Sequence, residues 1–522
     1  MDARRRAQEP LTAAPREPVL AVGEIQGNVL PGFNSPHQAL LGIRFEGDPR
    51  PWLAGLLPSV STLADVHGFR QVRRHARRLG AATPSSPVWT NVAFDAAGLA
   101  ALAGAVDGIR DARFRHGMGE ASNLGDPTDR GHPGHPSRWV VGGAPARTPH
   151  ALLVVGCDDA GALRAAAAAA RASAEGHGLV VSYEQEGHGL DGEIEHFGFR
   201  DGISSAGARG RVGRAAGDHL TPRTVDPADE RSLRFGRPGQ PLVWPGQFVF
   251  GYPRQRADDP VRPGPVSRGG YAWMDNGSYL VFRRLRQDVA AFRRFLDEEA
   301  VRLGVAPQRL AALIVGRWPA GTALSRNPAG DDPDPMGDRA AVNHFGFAGE
   351  APPVRVRDEA RAPLRTVPGA PADRFGRICP AFAHIRKVNP RDLPTDKGGP
   401  DRTLTFAVLR RGIPWGDPYP APGDRGLLFL CYQTSIKDQF EVLNTDWMNR
   451  ANGPEGGAGQ DLLVGQGAGA TRERSANLRA AEGGGAPTRI TTLAEWVTPT
   501  GGGYFFAPSI SALRQFAAGP PG

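Results

Sequence analysis

The sequence has 522 residues, of which 40% are apolar, so the chain is long enough for two or three domains with buried cores. The net charge of +8 comes almost entirely from arginines interleaved with Asp and Glu, whereas a nucleic-acid-binding protein clusters its basic residues on one element. No segment has the length of a signal peptide or membrane span and the three cysteines form no CxxC or CxxCH motif, which predicts a cytoplasmic, non-membrane protein with reduced thiols.

Short strands and helices alternate in the first part of the chain. Residues 1–22 are rich in Arg, Pro and Ala and are predicted to form a flexible tail, followed by a first domain over residues 23–222. Apolar runs and helical spacing predict the elements of this domain. The predicted strands are 39–47, 88–94, 151–156 and 179–183, and the predicted helices are 51–64, 96–106 and one that follows Asp159 and ends near Gly176. This alternation is typical of an α+β sandwich.

A second domain is predicted over residues 223–522. It follows a Gly-, Arg- and Pro-rich connection at 206–241, which we expect to run along the surface. The predicted strands are 247–252, 278–283, 404–409 and 427–432, and the predicted helices are 288–303, one that opens at Pro307, and 435–447. Two low-complexity stretches, 328–335 and 453–485, are expected to be exposed insertions without chemistry.

The string HFGF occurs twice, within EHFGFRDG at 195–202 and within NHFGFAGE at 343–350. Only the first copy ends in Asp-Gly, so Asp201 has no counterpart in the second. A shared four-residue string is a weak repeat signal, and we interpret His344 in the second copy as a structural histidine. By itself Asp-Gly is also an ordinary turn, in which Asp201 would bond only its own backbone.

Two further strings combine residue types that could carry chemistry. In HIRKVNPR at 384–391, a neutral imidazole of the kind that ligates haem iron heads a basic run that would suit the carboxylates of a porphyrin. In LRRGIPWG at 409–416, two arginines end a strand that should be half-buried, and a buried guanidinium needs a partner. Both strings therefore mark candidate sites.

Taken together and in this order, the strings resemble the dye-decolorizing peroxidases. The resemblance covers nearly the whole chain, and the length and opening are similar to the longer subgroup of the family. It rests on GFRDGIS at 198–204, HIRKVNPR at 384–391 and LRRGIPWG at 409–416, and continues in IQGNVLPGF at 25–33, GRWPAGTAL at 316–324, LLFLCYQTSIKDQFE at 427–441 and GGGYFFAPSISAL at 501–513.

The resemblance implies an α+β fold of two ferredoxin-like domains with antiparallel sheets, arranged like a dimeric α/β barrel and enclosing one non-covalent haem b per chain. It implies His384 as the iron ligand, Asp201 as the distal acid-base residue and Arg410 as the distal arginine. The further residues assigned to the haem site are Ile203, Arg386, Arg391, Leu427 and Phe429. Leu427 and Phe429 lie two apart on a strand and share a face, although a plain core role fits them as well.

Metal-bound imidazoles usually donate their second N–H to a carboxylate or a carbonyl. Glu441 is the candidate for this partner of His384, and Asp438 fits the same reasoning. Bulky donors are expected to be oxidised at the surface through Trp or Tyr residues. Trp415 is a first candidate for that role, with a core role as the favoured alternative.

The implied function is that of a peroxidase, which uses hydrogen peroxide to oxidise organic donors such as dyes and phenolics through a ferryl intermediate. One alternative is a porphyrin-tailoring or iron-releasing protein similar to a deferrochelatase. Another is a non-catalytic haem-binding module, which would need no distal carboxylate such as Asp201. The natural donor and the oligomeric state stay open at this point.

Overall fold

The elements that build the site come from two separate stretches of the chain. The structure is a computed structural model, and it describes residues 15–120, 124–332, 338–357, 363–469, 471–480 and 485–519. The helices in these residues are α1 Arg50–Leu56, α2 Leu63–Arg78, α3 Ala96–Ala103, α4 Ala112–His116, α5 Ala160–Gly176, α6 Val289–Leu303, α7 Pro307–Val315, α8 His384–Val388, α9 Pro400–Thr403, a π-helix Ile436–Met448, and α10 Ile510–Ala518. Of these helices in the described ranges, none is long and apolar enough to cross a membrane.

The strands of the described residues are mostly short, apart from those that form the central sheet. They are β1 His37–Arg44, β2 Trp89–Phe94, β3 Ala151–Cys157, β4 Val180–His188, β5 Gly207–Ala208, β6 Leu242–Val243, β7 Pro253–Gln255, β8 Pro263–Val266, β9 Ser278–Gln287, β10 Val354–Val356, β11 Arg365–Val367, β12 Leu409–Arg410, β13 Ile413–Trp415, β14 Gly426–Gln433, β15 Arg474–Leu478, β16 Thr488–Thr492 and β17 Val497–Ala507.

The central sheet has nine strands in the order β12-β14-β9-β17-β2-β3-β1-β4, with β13 also paired to β14. The four strands of each half have the same spatial order, in which the fourth strand lies beside the first and the third beside the second. All the pairings in this sheet are antiparallel. This is the ferredoxin-like arrangement, so the predicted α+β fold is confirmed.

Each half of the sheet has two edges, and the two halves meet at both of them. Phe506 of β17 pairs with Phe94 of β2, and β13 contacts β4 on the opposite edge. The nine strands therefore curve toward a barrel, which brings loops of the first half next to strands of the second. The exact domain boundary near residue 222 stays a prediction.

Local sequence explains why several elements begin and end where they do. Thr62 and Asp65 form a reciprocal capping box at the start of α2, and the Asp159 side chain accepts from the N–H of Ala162 to start α5. Helix α6 stops at Gly304, whose backbone is left-handed with φ +66°. Each of these boundaries follows from a capping residue visible in the sequence.

Several predicted elements differ in the structure. Residues 247–252 form no strand. Phe248, Val249 and Phe250 lie in a turn and are buried in the core, so the apolar run indicated that these residues are buried but not that they pair with another strand. Of 404–409, only Leu409 pairs in a strand, because a 3₁₀ turn occupies 404–406. The predicted helix 51–64 is divided between α1 and α2.

The predicted flexible tail is also shorter than expected. Residues 1–14 lie outside the described residues, but Leu20 is buried and Glu17 lies in a cluster of basic groups. The Glu17 carboxylate pairs with Arg223 at 2.6 Å and accepts from the N–H of Gly210 at 2.9 Å. These contacts fix residues 15–22 on the folded chain.

The three cysteine side chains are buried free thiols, in agreement with the sequence. The stretch 453–485 was expected to be an exposed insertion, but several of its described residues are buried, including Leu462, Arg474, Ala476 and the fully buried Asp461. Residues 470 and 481–484 lie outside the described residues. Of the other stretch, residues 333–335 lie outside the described residues. The correction at 453–485 bears directly on the site.

Candidate active site

His384 is the first residue of helix α8, and a buried carboxylate orients its ring. Its Nδ1 lies 2.7 Å from Oδ2 of Asp461. The other carboxylate oxygen of Asp461 accepts from the backbone N–H groups of Leu463 and Val464, at 2.9 and 3.1 Å. Three polar contacts thus fix the carboxylate, and the nitrogen of His384 left for a metal is Nε2.

The prediction that Glu441 is the partner of His384 is therefore wrong. Glu441 accepts from the Tyr504 hydroxyl at 2.9 Å and pairs with Arg113 at 2.9 Å. The alternative, Asp438, instead accepts from the Ser435 hydroxyl at 3.2 Å at the start of the π-helix. Sequence reasoning missed Asp461 because it lies in a Gly-rich stretch.

One signal could have identified Asp461. The residue is followed directly by Leu-Leu-Val at 462–464, the only compact apolar run between residues 453 and 469. An Asp just before such a run is a typical cap of a buried turn, where it accepts from the N–H groups that follow.

Arg386 does not contact an open site, which corrects its assignment to the porphyrin. Its side chain is completely buried and pairs with Glu455, with 2.7 Å between Nε and Oε1. Nη1 donates to the carbonyl of Asp373 at 2.7 Å, and Nη2 donates to that of Arg374 at 3.0 Å. Arg386 therefore anchors the helix that carries His384 and is not available to a ligand.

The distal side is formed by an ion pair between the two halves. Nη1 of Arg410, on β12, lies 3.2 Å from Oδ1 of Asp201, and Nη2 donates to the carbonyl of Ser204 at 3.1 Å. The Gly202 N–H also donates to Asp201 at 2.6 Å. The Asp201 and Arg410 side chains stay 42% and 35% accessible. The local alternative, in which Asp201 bonds only its own backbone, is excluded by the contact with Arg410.

Electrostatics keep Asp201 ionised. Burial acts to raise the pKa of this carboxyl, but the Arg410 guanidinium, the Gly202 N–H and the nearby His384 together hold its pKa below the ordinary value. The charge of His384 contributes to this lowering of the pKa of Asp201, although the two residues come from different halves of the chain. An ionised carboxylate with accessible surface can accept a proton from a bound molecule.

Apolar side chains of β14 are suited to form a wall of this site. Leu427 and Phe429 are half-buried, whereas Leu428 and Leu430 on the other face of the strand are fully buried. Arg410 pairs in register with Cys431, so its side chain lies on the same face as Leu427 and Phe429. The predicted shared face is thus the one that carries the distal arginine.

Asn343 connects the remaining predicted residues. Its Nδ2 donates to the carbonyl of Ile203 at 2.8 Å, and its backbone carbonyl accepts from Nη1 of Arg391 at 3.0 Å. Its Oδ1 accepts from Nη2 of Arg317 at 2.6 Å. Burial, followed by the charge of Arg317, lowers the pKa of Arg391 to about 9. Arg317 and Asn343 were missed by the sequence analysis, which assigned no role to their motifs. His344 beside them bonds the carbonyl of Pro352 at 2.8 Å.

The residues present fit a haem. His384 offers an oriented imidazole, and Asp201 and Arg410 supply a proton acceptor and a cation. The side chains of Leu427 and Phe429 on β14 are apolar and half-buried. The half-buried guanidinium of Arg391 suits a carboxylate of a porphyrin, whereas Arg317 is buried and donates to Asn343.

Trp415 is a core residue. Its side chain is only 3% exposed, and the Arg284 guanidinium stacks 3.8 Å from the centre of its ring. Its indole N–H donates to the carbonyl of Leu285 at 3.3 Å. The favoured alternative for this residue is confirmed, and it cannot receive electrons directly from a bulky donor.

The chain is similar to known peroxidases in sequence and in fold. The model of the family "Dyp-type peroxidase, C-terminal" matches residues 355–456. The dye-decolorizing peroxidase msp1 of Mycetinis scorodonius is 29% identical over 455 residues, which cover 81% of this chain and 75% of that protein. The structure of an ancestral D-type dye-decolorizing peroxidase is 27% identical with a TM-score of 0.74, covering 96% of this chain and 99% of that one.

Two other similarities concern substrates. The structure of a dye-decolorizing peroxidase in complex with 2,6-dimethoxyphenol is 26% identical with a TM-score of 0.69, and covers 96% of this chain and 100% of that one. A deferrochelatase of Yersinia pestis is 27% identical over 154 residues, covering 29% of this chain and 24% of that protein. The peroxidase similarity therefore extends over 81–96% of the chain, and the deferrochelatase similarity over 29% of it.

Proposed function

Since the chain belongs to the dye-decolorizing peroxidase family, we propose that it binds one non-covalent haem b and uses hydrogen peroxide to oxidise dyes and phenolic donors. The observation that carries this proposal is the Asp201–Arg410 ion pair between the two halves, together with His384, whose ring is held by Asp461. A protein that only binds haem has no need of an ionised carboxylate beside a cation on the distal side.

The residues that would hold the haem come mainly from the second half. His384 Nε2 would bind the haem iron, and the contact with Asp461 would make this imidazole more basic. Arg391 would face the haem carboxylates, and Leu427 and Phe429 would pack against the ring. Bound haem supplies the redox chemistry, because its iron and porphyrin can store the two oxidising equivalents that peroxide delivers.

Asp201 transfers the proton that peroxide cleavage requires. Its carboxylate takes the proton from one oxygen of peroxide and returns it to the other oxygen, which leaves as water. Arg410 stabilises the negative charge that develops as the O–O bond breaks. Two donor molecules then each return one electron, so that each peroxide is reduced by two electrons in total.

An absorption spectrum of the haem-loaded protein before and after one equivalent of peroxide tests this proposal. We expect a rapid spectral change that reverses when two equivalents of 2,6-dimethoxyphenol are added. No spectral change, or a change that the donor does not reverse, would contradict a peroxidase function. Iron content after many turnovers separates the alternative: a peroxidase keeps its haem intact, whereas an iron-releasing protein loses iron from the porphyrin.

A further inference from the structure

The loop that carries Asp201 is closed around a second carboxyl group, that of Glu195. Ile194 and Arg200 form an antiparallel bridge across the loop. Within it, Oε2 of Glu195 accepts from the N–H of Phe197 at 2.9 Å, and Oε1 accepts from that of Phe199 at 3.1 Å. Asp201 follows Phe199 by two residues, so the Glu195 carboxyl determines the conformation of the backbone that leads into it.

The contact between Glu195 and Gln287 indicates where a proton lies. The side-chain amide of Gln287, at the end of β9, lies 2.6 Å from Oε2 of Glu195. This distance is short for N–H···O, which spans about 2.7–3.2 Å, but ordinary for O–H···O. The carbonyl oxygen of the same amide is buried without a hydrogen-bond partner among the described residues. The oxygen and the NH₂ group of a side-chain amide have nearly the same size and position. Exchanging them places the Gln287 carbonyl beside Glu195, where it can accept a hydrogen bond from a Glu195 O–H.

Electrostatics lead to the same result. Burial raises the pKa of Glu195 to about 7, against the hydrogen bonds from Phe197, Gln287 and Phe199, and the charge of Asp201 raises it further. The pKa of Asp201 is lowered. Between these two values one carboxyl is neutral while its neighbour is ionised, a separation typical of paired acids with different roles.

We propose that Glu195 is a neutral carboxylic acid that positions the Asp201 loop and keeps a second negative charge away from the distal site. The inference rests on the proposed function for its catalytic consequence, but not for the protonation itself. Glu195 is a positioning residue, since it acts through Asp201.

The groups around Glu195 determine what happens as the pH rises. The charged groups of its own loop are Asp201 and the Glu193–Arg200 ion pair, while β9 contributes the Gln287 amide and α6 the Phe292 ring against Phe197. Ionisation of Glu195 removes the donated hydrogen bond to Gln287 and adds negative charge beside Asp201. The loop is therefore held best below pH 7 and less well above it.

Infrared spectroscopy of the ferric, haem-loaded protein tests the protonation directly. In the difference spectrum between the wild type and Glu195→Gln we expect the C=O stretching band of a buried protonated carboxyl at pH 5, which disappears with a midpoint near 7. The difference spectrum is needed because burial also raises the pKa of Asp95 to about 7, so that Asp95 gives a band in both proteins. Glu193→Gln is the matched control, because Glu193 lies in the same loop but is 68% exposed and paired with Arg200. A difference spectrum without this band, or the same band in the difference between the wild type and Glu193→Gln, would overturn the proposal.

The pH profile of the peroxide reaction tests the positioning role. In the wild type the rate constant should fall above a midpoint near 7, by about tenfold per pH unit as for a single ionisation. This fall should be absent from Glu195→Gln, whose amide does not ionise, and present in Glu193→Gln. An unchanged alkaline limb in Glu195→Gln would reject the role.

If Glu195→Gln does not fold, Glu195→Asp is the variant that tests the proposal. The shorter side chain keeps an ionisable group but changes its burial, so the midpoints of the infrared band and of the alkaline limb should move together. Midpoints that move independently would contradict the proposal. If the wild type fails to react with peroxide at every pH, the proposed function fails, and the infrared result still decides the protonation of Glu195.

Discussion

The two aspartates of the site have different partners, and the partners determine what each carboxylate can do. Asp461 is fully buried and is bonded by two backbone N–H groups and by His384, so its role is to orient the ring. Asp201 keeps accessible surface and faces Arg410, so it can take up and release a proton. The chemistry of a carboxylate thus follows from its exposure and its donors.

Replacing Asp461 by Asn should weaken the proximal side. The neutral amide is a poorer acceptor for Nδ1 of His384, and outer-shell changes of this kind typically cost about 10- to 100-fold in metal affinity or activity. We expect a loss of this size in haem affinity or in the rate of reaction with peroxide, together with a changed ligand-field spectrum. Titration with haem and stopped-flow absorption measure both quantities.

Glu441→Gln is the control for Asp461→Asn, because Glu441 contacts Tyr504 and Arg113 in the structure. It should leave the spectrum of the haem ligand unchanged. If Glu441→Gln altered that spectrum and Asp461→Asn did not, the assignment of the proximal partner would have to be reversed.

Sequence strings identify the residues of the site better than they identify the contacts between them. His384, Asp201 and Arg410 lie in recognisable motifs, but the partner of His384 is 77 residues away in a Gly-rich stretch. Arg386 illustrates the reverse error: its basic side chain next to the ligand fits a porphyrin carboxylate, but the fold buries it against Glu455. Proximity in the chain does not determine which way a side chain points.

Charge holds the segment 15–22 on the folded protein. Burial acts to raise the pKa of Glu17, but a hydrogen bond with His219, the charges of Arg223 and Arg209, and the Gly210 N–H lower it to about 2. A lowered carboxyl pKa stabilises the fold above the ordinary value of 4.5, and the stabilisation is lost as the pH falls toward 2.

Glu17→Gln should therefore destabilise the protein at neutral pH. Removing one partner of a buried ion pair costs about 3–5 kcal/mol, since Arg209 and Arg223 remain without their anion. Thermal unfolding should give a lower Tm for the variant at pH 7, and a smaller difference as the pH falls below 4.5. A difference in Tm that is the same at pH 3 and pH 7 would show that the charge of Glu17 has no part in the effect.

Apolar runs predicted six of the nine strands of the central sheet, namely β1, β2, β3, β4, β9 and β14, but not the longest strand, β17. Every residue of β3 is buried, so its apolar run was visible in the sequence. The apolar run at 247–252 was equally clear, but its residues are buried by a turn without pairing in a strand. Apolar periodicity predicts burial, whereas pairing depends on the strands that lie next to it. The π-helix Ile436–Met448 was predicted as an ordinary helix, since no residue pattern marks its wider turns.

We expect a bulky donor to be oxidised at the surface of the molecule, through an exposed Trp or Tyr side chain. Of the described Trp and Tyr side chains, Tyr419 is the most exposed, at 38%. The guanidinium groups of Arg293 and Arg425 lie 4.8 and 5.9 Å from the centre of its ring. These cations are suited to attract an anionic dye. Tyr419 therefore replaces Trp415 as the candidate for this role.

Tyr419→Phe should slow the oxidation of a bulky anionic dye by about tenfold or more, because phenylalanine cannot release a phenolic proton on oxidation. Oxidation of 2,6-dimethoxyphenol should be unaffected. Steady-state rates with both donors check this prediction. Trp415→Phe is the control, and equal slowing of both donors in Tyr419→Phe would show damage to the haem site instead of loss of a surface route.

The catalytic site exists only where the two halves meet. Asp201 comes from the loop after β4 and Arg410 from β12, 209 residues later in the chain. Alternating strands and helices predict each half from its own residues, but the joining of the halves depends on the edges of β2, β17, β4 and β13. The sequence carried that information only through its resemblance to a known family.

The central claim is that Asp201 carries the proton in peroxide cleavage, and stopped-flow mixing of haem-loaded protein with peroxide tests it most directly. Asp201→Asn keeps the shape of the side chain and removes the proton acceptor, so the spectral change should slow by about 10²–10⁴-fold. As the pH is lowered, the wild-type rate should begin to fall only below the ordinary range of an aspartate, since the pKa of Asp201 is lowered, and this acid limb should be missing from the variant. A variant with full haem content that reacted at the wild-type rate, with the acid limb intact, would contradict the account.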